Sequence, residues 1–339
     1  MSRLGAAVVA VLLACTACTE PPATQAPVEF EVPTGQAESW FKGNTHAHTT
    51  NSDGDSSPEY VTAWYKDHGY DFLVLSDHNT FTDPETLRQL TDASFLLIPG
   101  EEVTSGFEEA AVHVNGLNVP GLIEARTASS LMATIQANVD AIREVDAVPH
   151  INHPNFRWSF GAAELALVER YRLLEIWNGH PTVHNQGGGE GPGLEEIWDI
   201  LLTGGKVVYG IAVDDAHHFQ GEFATDRANP GRGWVSVRAS SLDAAAVMEA
   251  LESGSFYSST GVTLSDVRVT ANRIEVHIEP EGDFRYTTTF IGSSGRVLSA
   301  TSANPARFEL RADEGYVRAK VRDSGGRVAW TQPVFIRER

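Results

Sequence analysis

The sequence predicts an α/β protein in which alternating strands and helices build a mostly parallel sheet, followed by a small all-β region. Three observations predict it. Between residues 45 and 213, seven short apolar runs with strand character recur, and helical patterns separate several of them. After about residue 260 helical periodicity is lost, and short strands alternate with Gly, Asn, Asp or Ser turns. The chain has 339 residues, 42% hydrophobic and 21% charged, which is apolar enough for a substantial core and rules out wholesale disorder.

The chain begins with a targeting signature. Arg3 precedes an uncharged, mostly apolar stretch from Leu4 to Ala14, well short of the roughly 20 residues that span a bilayer. A basic start, a short apolar run and small residues after it mark residues 1–18 as a secretory signal, and the protein is expected to be exported to the cell envelope. Leu12-Leu13-Ala14-Cys15 resembles a bacterial lipobox, and Cys18 is a second candidate for lipidation; cleavage to a soluble product is the alternative. Thr19–Thr34 is rich in Pro, Ala, Thr and Glu, so residues 19–38 are expected to form a flexible linker. A lipid on Cys15 or Cys18 would be the one membrane contact. These are the only cysteines, so nothing beyond Cys18 can form a disulfide, a thiolate metal site or a cysteine nucleophile.

Residues 39–260 carry the alternating pattern. The strand-like runs are Thr45–His48, Phe72–Leu75, Phe95–Ile98, Ala111–Leu117, Ala147–Asn152, Leu173–Trp177 and Val207–Val213. In Pro58–Gly69, Ser57 is placed to cap a helix, Pro58 occupies its first position, Val61, Trp64 and Tyr65 share a face, and Gly69 stops it. Ser129–Val145 puts Leu131, Ile135, Val139 and Ile142 at helical spacing; Leu194–Leu202 and Leu242–Glu252 are shorter examples. Near-continuous apolar strands imply a sheet covered on both faces, and seven can close into a barrel. Residues 261–339 read as a small β-sandwich, with strands at Leu264–Val269, Arg273–Ile278, Tyr286–Ile291, Ala306–Leu310, Gly315–Arg322 and Ala329–Ile336.

Charge excludes one function class. Acids outnumber bases 45 to 25, for a net charge of −20. A protein held on nucleic acid by phosphate contacts needs a basic face, so no stable nucleic-acid complex is expected. A phosphate-processing enzyme is still allowed, because bound cations invert the local field.

The chemistry is written in the histidines and acids. Eleven of twelve histidines lie between positions 46 and 218. His46 and His48 form an H-x-H pair whose side chains leave one face of a strand. Asp53 follows; the second run ends in Asp77-His78, the third in Gly100-Glu101-Glu102, the fourth carries His113, the fifth ends in His150-Ile151-Asn152-His153-Pro154, and the seventh in Asp214-Asp215-Ala216-His217. Chemistry in α/β barrels sits at carboxyl ends of strands. His113 taken alone reads as a satisfied buried polar group, and Asp53 as part of a Ser-Asp-Gly turn. Taken together, so many imidazoles and carboxylates at corresponding strand ends would be costly to bury unless cations pair them. The donors are nitrogen and oxygen only, which suits Zn, Mn or Fe.

The stretch Trp40-Phe-Lys-Gly-Asn-Thr-His-Ala-His-Thr-Thr-Asn-Ser-Asp-Gly-Asp-Ser-Ser-Pro58, followed by Phe72-Leu-Val-Leu-Ser-Asp-His-Asn79, closely resembles the polymerase and histidinol phosphatase (PHP) superfamily. Within it the chain looks most like the carbaryl-hydrolase-type branch of metallohydrolases, over about residues 38–260. The resemblance implies a distorted seven-stranded (β/α)7 barrel holding two or three divalent ions. It implies one ion on His46, His48, Glu102 and Asp215, a second on Glu102, His113 and His153, and a third on Asp53, His78 and His217. Glu102 is chosen over Glu101 by the family's Gly-x-Glu pattern, and His153 over His150 by His-Pro-Asn. In several relatives a histidine stands where Asp53 stands.

Such a site activates water and neutralises charge in the transition state. Asp77, Asp214, His180 and His218 are candidates to support ligands or to transfer a proton. Asn178, within Glu175-Ile-Trp-Asn178-Gly-His180, is expected to line the pocket, and Arg157 to hold an anionic substrate. Gly187-Gly188-Gly189 lacks the Gly-Lys-Ser/Thr of a phosphate loop and reads as a rim. Three functions follow: a phosphoesterase, a carboxylic or carbamate ester hydrolase on the same metals, or a lipid-tethered binding module with a relict site. Trp158, Phe160, Trp177 and Phe219 favour an apolar wall for an ester; Arg157 and Arg227 favour an anion.

Overall fold

The computed structural model describes residues 28–31 and 39–338; the signal and lipidation readings fall outside them. In chain order the elements open with β1 (Val28–Glu31), β2 (Ser39–Asn44), α1 (Pro58–Asp67), β3 (Phe72–Val74), a 3-10 turn at Pro84–Leu90 and β4 (Leu96–Ile98). Then come β5 (Gly100–Phe107), β6 (Ala110–Leu117), α2 (Leu131–Arg143), β7 (Val148–Ile151), α3 (Ala162–Leu167), β8 (Leu173–Asn178), α4 (Leu194–Thr203) and β9 (Tyr209–Val213). The chain continues through β10 (Trp234–Ala239), α5 (Ala244–Ser253), β11 (Phe256–Ser259), β12 (Leu264–Thr270), β13 (Arg273–Ile278) and β14 (Tyr286–Gly292). It ends with β15 (Arg296–Thr301), β16 (Ala306–Glu309), β17 (Tyr316–Asp323), β18 (Val328–Thr331) and β19 (Val334–Glu338).

The helices form where capping and apolar spacing place them. Ser57 accepts from the Tyr60 amide at the start of α1, which buries Val61, Thr62 and Tyr65, and Gly69 takes the left-handed φ of +72° that ends it. Ser130 caps α2 through the Ala133 amide, and its buried face carries Ile135, Val139 and Ile142. The main core packs the α2 face, with α4 and α5, against the strands of both halves, and the α1 residues Val61 and Tyr65 pack in a separate cluster with Leu73, Leu87, Phe95 and Phe219.

The strands do not close into the expected seven-stranded barrel. β5-β6-β7-β8-β9 form one sheet; β2-β3-β4 belong to an 11-stranded sheet that runs on through β10, β11, β18, β17 and β19 to β1. Two seams separate the sheets. At one, the edge of β9 is satisfied by side chains in place of a ladder. The Gly210 amide donates to Gln332 Oε1 (2.8 Å), Ser258 Oγ donates to the Gly210 carbonyl (2.7 Å), and the Ala212 amide donates to Ser258 Oγ (3.0 Å). At the other, the segment that follows β3 meets β5 in a single bridge, His78 to Glu102. Both seams are short of backbone pairing, and the second lies in the site described below.

Three departures from the sequence reading have local causes. Gly100–Phe107 is a strand of its own in a hairpin with β6, turning through Glu108 at φ +52°; its polar Glu-Glu-Val-Thr-Ser makes no apolar run. β10 and β11 flank α5, and they pair with each other and with β2 and β18, which joins the two halves of the chain. Val28–Glu31, inside the stretch read as linker, alternates apolar and acidic residues and pairs antiparallel with β19. The late strands also bury a core of their own around Ile274, Val276, Phe290, Val317 and Val321.

Candidate metal centre

The H-x-H segment lies just past the carboxyl end of β2, not within a strand as the sequence reading had it. It is pinned from both sides. The Ser76 amide donates to the Ala47 carbonyl (3.0 Å), His48 donates to Ala216 (2.9 Å), and Asp215 donates to His46 (3.0 Å). Asn44 accepts the His46 amide (2.9 Å). The extended backbone sends both imidazoles to one side, and Asp215 meets them from the end of β9 at a φ of +50°, a strained conformation that the flanking bonds hold in place.

Four donor atoms from these segments and β5 stand at nearly equal spacing. His46 Nε2 is 3.1 Å from His48 Nε2, 3.3 Å from Glu102 Oε2 and 3.3 Å from Asp215 Oδ1. His48 Nε2 is 3.3 Å from Glu102 Oε2 and 3.2 Å from Asp215 Oδ1. Donors held about 2.0–2.1 Å from one tetrahedral ion stand roughly 3.3–3.4 Å apart. The five edges therefore fit one divalent ion at the centre. All four residues are buried. Two imidazole nitrogens face to face at 3.1 Å would repel if both were neutral acceptors, and a cation between them removes that conflict.

Glu102 is the hub. Besides the two histidines on Oε2, His78 Nδ1 lies 2.9 Å from that oxygen. Oε1 faces His113 Nδ1 at 3.0 Å and His153 Nε2 at 3.5 Å and accepts from Asn152 Nδ2 at 2.8 Å. Burial alone would raise this carboxyl; the surrounding imidazoles of His46, His113 and His78 outweigh it and hold Glu102 well below the usual carboxylate range. A more open group completes the cluster: His217 Nε2 is 3.3 Å from Asp53 Oδ1, His78 Nε2 is 3.7 Å from Asp53 Oδ2, and His48 Nδ1 is 3.5 Å from Asp53 Oδ1. Asp53 and Asp215 outweigh burial and raise His217 to about 9.

All nine residues read as ligands from the sequence thus fall in overlapping groups whose donor atoms lie within 4.8 Å of one another. The grouping differs in three respects: His153 sits with His46 and Asp215, His78 shares Glu102 with His113, and His48 also joins Asp53, His78 and His217. Most of the nine line a cavity of about 110 Å³, together with Phe156 and His180. Glu101, one residue from the hub, points the other way on the strand and accepts the Ile123 amide at 2.8 Å. His150 is fully buried, with Glu175 Oε1 3.6 Å from its Nε2, and burial pushes it down to about 4.

The supporting residues sort differently from expectation. His180 lines the cavity, and its Nδ1 accepts from Thr182; burial pushes it down to about 4, so the ring is neutral. Asp77 and Asp214 do not line it. Asp77 accepts from the Thr49 amide (2.7 Å), Thr49 Oγ1 (2.8 Å) and Ser52 Oγ (2.7 Å), which organises the loop after the H-x-H pair. Asp214 accepts from Tyr65 Oη and the amides of Gly231, Arg232 and Gly233 and orders the 231–233 segment. Asn178 is buried, donating to Glu175 Oε2 (2.8 Å) and Asp215 Oδ2 (3.1 Å), so it braces a ligand carboxylate, and it is also among the residues lining a larger cavity beside the metal-lined one. Arg157 is exposed and stacks over Phe156 at the rim. His218 accepts the Ala228 amide.

Of the aromatic side chains expected to form a wall, Phe160 and Phe219 are core residues, and Trp158 stacks on His184 with ring centroids 4.5 Å apart. Arg227 pairs with Asp55 at 3.6 Å. Glu175 is the residue that sequence reasoning undervalued. Its Oε1 takes His46 Nδ1 at 2.7 Å, and its Oε2 accepts the His153 amide at 2.8 Å and Asn178. Its place at the head of the Glu-Ile-Trp-Asn motif was the available signal. Thr104, whose Oγ1 is 2.6 Å from His78 Nδ1, gave none.

The fold is similar to that of a two-domain protein from Bacteroides vulgatus containing a predicted PHP-like metal-dependent phosphoesterase, with a TM-score of 0.52 and 16% identity over 86% of this chain and 93% of that one. Two further solved structures are more weakly similar. One is a Bifidobacterium adolescentis protein named as a metal-dependent phosphoesterase, at TM-score 0.41 and 14% identity over 55% of this chain and 89% of that one. The other is an amidohydrolase from Chromobacterium violaceum with bound sulfate, at TM-score 0.39 and 12% identity over 55% of this chain and 93% of that one. No family model matches the chain, and no curated protein does.

Proposed function

We propose that the protein is a divalent-metal-dependent hydrolase acting on a phosphoester. The observation that carries this reading is the frame of His46, His48, Glu102 and Asp215, whose five edges of 3.1–3.3 Å match the span of donors round one ion. Glu102 reaches His113 and His153 with its other oxygen, and Asp53, His78 and His217 offer a third group, so two or three ions of Zn, Mn or Fe type fit the donor set. The likeness to a PHP-like phosphoesterase fold is in keeping with it.

Divalent ions held by these residues would lower the pKa of a water and polarise the phosphoryl group under attack. The protein's own residues do the rest. Glu175 and Asn178 fix the rings and carboxylates at their spacing, so no reorganisation is needed as charge develops. His180, neutral and on the cavity wall, is placed to donate a hydrogen bond to a leaving oxygen. Arg157 at the rim attracts an anion toward the cavity. The carbamate or carboxylic ester reading is favoured by Phe156, the apolar residue among those lining the cavity. Export, with a lipid at Cys15 or Cys18, is part of the same proposal.

The test is metal analysis of the purified full chain, followed by phosphoester and carboxylester panels with and without chelator. Two or more equivalents of metal, chelator-sensitive phosphoester turnover and a drop of at least a thousandfold in Glu102→Gln support the proposal. No turnover at full metal loading overturns it and leaves a binding module; turnover restricted to carboxylesters moves it to the esterase reading.

A further inference from the structure

Two cavities meet at His180. The first is the metal-lined one of about 110 Å³. The second, about 580 Å³, runs between Trp177, Pro181 and Arg232 on one side and the Gly325–Arg327 turn that joins β17 to β18 on the other. A water molecule occupies about 30 Å³ of liquid, so the inner cavity accommodates the reacting group of an ester and little more. A groove of the second size is typical of pockets that bury a ligand of roughly 300–1,000 Å³ class.

The charge in this groove is unusual for the chain. Arg232 Nη1 donates to the Gly179 carbonyl (3.0 Å), and Nη2 donates to the Ala224 carbonyl (2.5 Å) and Asn229 Oδ1 (3.3 Å). These are neutral acceptors, and among the described residues no carboxylate forms a close ion pair with its guanidinium, although Asp214 and Asp226 lie near enough to act on its charge. That is notable where acids outnumber bases 45 to 25. Arg327 across the groove is by contrast neutralised by Asp323 (2.5 Å) and Glu281 (2.7 Å). A guanidinium with no close ion pair, standing beside the cavity that takes the reacting group, is placed to recognise a second negative charge.

We infer that this groove binds the non-reacting half of the substrate, and that Arg232 there pairs with a second anionic group, a phosphate or a carboxylate, carried by that half. The inference rests on the hydrolase reading for the word substrate. It assigns the β-rich end of the chain a part in specificity, because the Gly325–Arg327 turn supplies one wall. A small monoester would fill the inner cavity and leave the groove to water.

The experiment uses non-hydrolysable probes on the full chain equilibrated with Mn²⁺. Alkylphosphonates of three to eight carbons are titrated beside the α,ω-bisphosphonates and ω-carboxyalkylphosphonates of the same lengths by calorimetry. At the best-fitting length the doubly charged probe is expected to bind at least tenfold tighter than the alkylphosphonate. Arg232→Gln should bring the two within about twofold, while Arg232→Lys keeps part of the preference. Thr225→Trp narrows the groove from an exposed position whose side chain makes none of Arg232's bonds, and it should weaken long probes more than methylphosphonate. Equal binding of singly and doubly charged probes, or a preference that survives in Arg232→Gln, overturns the inference. Selective binding in a protein that turns over no ester upholds the groove and sinks the hydrolase reading instead.

Discussion

His46 presents Nε2 to the metal frame while its Nδ1 lies 2.7 Å from Glu175 Oε1, so the same imidazole is fixed from behind by a buried carboxylate. The pairing sets the tautomer that leaves Nε2 free as a donor to a cation and raises the ring's basicity. Glu175 also takes the His153 amide and Asn178, which ties two ligand-bearing loops to β8.

Glu175→Gln is therefore expected to weaken metal binding by about 10–100-fold, the range found when such supporting carboxylates are removed. Competition with a chromogenic chelator measures it. Wild-type affinity in the variant would show that the carboxylate does not tune the site.

Asp53 is the most exposed of the candidate ligands, with a side chain 55% accessible, and the candidate ligands it faces are the outer His78 and His217 and the Nδ1 side of the inner-frame His48. Asp53→Asn should lower the bound metal by one equivalent and leave the inner frame loaded. Elemental analysis after gel filtration reads the difference. A variant that lost all metal would mean that the outer group holds the inner one together.

Much of this site was legible in the sequence, and the reason is chemical. Ligand-type residues recur at strand ends, where a barrel-like arrangement gathers them, and apolar runs mark the strands that carry them. What could not be read was partner choice. Asp77 and Asp214 sit next to His78 and Asp215 in the chain, yet successive residues point to opposite sides, and both carboxylates serve loop amides and hydroxyls. Closure was equally hidden. Whether β9 pairs with its neighbour by backbone depends on Ser258 and Gln332, residues 48 and 122 positions from Gly210. Gly100–Phe107 went unread because a half-polar hairpin strand has no apolar run.

Glu101 gives a pH test separate from catalysis. Burial raises its carboxyl from 4.5 to about 7. An acid that binds its proton more tightly when folded contributes stability that is full below the unfolded value, declines as pH rises from 4.5 toward 7, and is lost above that. Glu101→Gln keeps an acceptor for the Ile123 amide and removes the charge. The melting temperature of the variant minus that of the wild type, both with chelator present, is expected to grow between pH 5 and pH 8. A constant difference would place the titration elsewhere.

The two halves of the chain are joined by a buried ion pair as well as by a sheet. Arg318 on β17 meets Asp199 on α4 through two bonds, Nε to Oδ1 at 2.8 Å and Nη2 to Oδ2 at 2.7 Å, and Nη2 also reaches Glu195 at 2.9 Å. Tyr316 Oη donates to the same Asp199 at 2.8 Å, and the guanidinium lies 4.8 Å from the Trp198 ring centroid. Removing one partner leaves an uncompensated buried charge, so Arg318→Met is expected to destabilise the protein by about 3–5 kcal/mol. Adding Asp199→Asn in the same chain should restore part of that loss, because the orphaned carboxylate is then gone. Since the 11-stranded sheet also runs from β2 through β10, β11 and β18 to β17, both halves should unfold in one transition that shifts as a unit. Urea unfolding followed by tryptophan fluorescence and by far-ultraviolet circular dichroism tests this. Two separated transitions, with only the later strands weakened by Arg318→Met, would show instead that residues 261–339 fold on their own and that the ion pair merely decorates their contact.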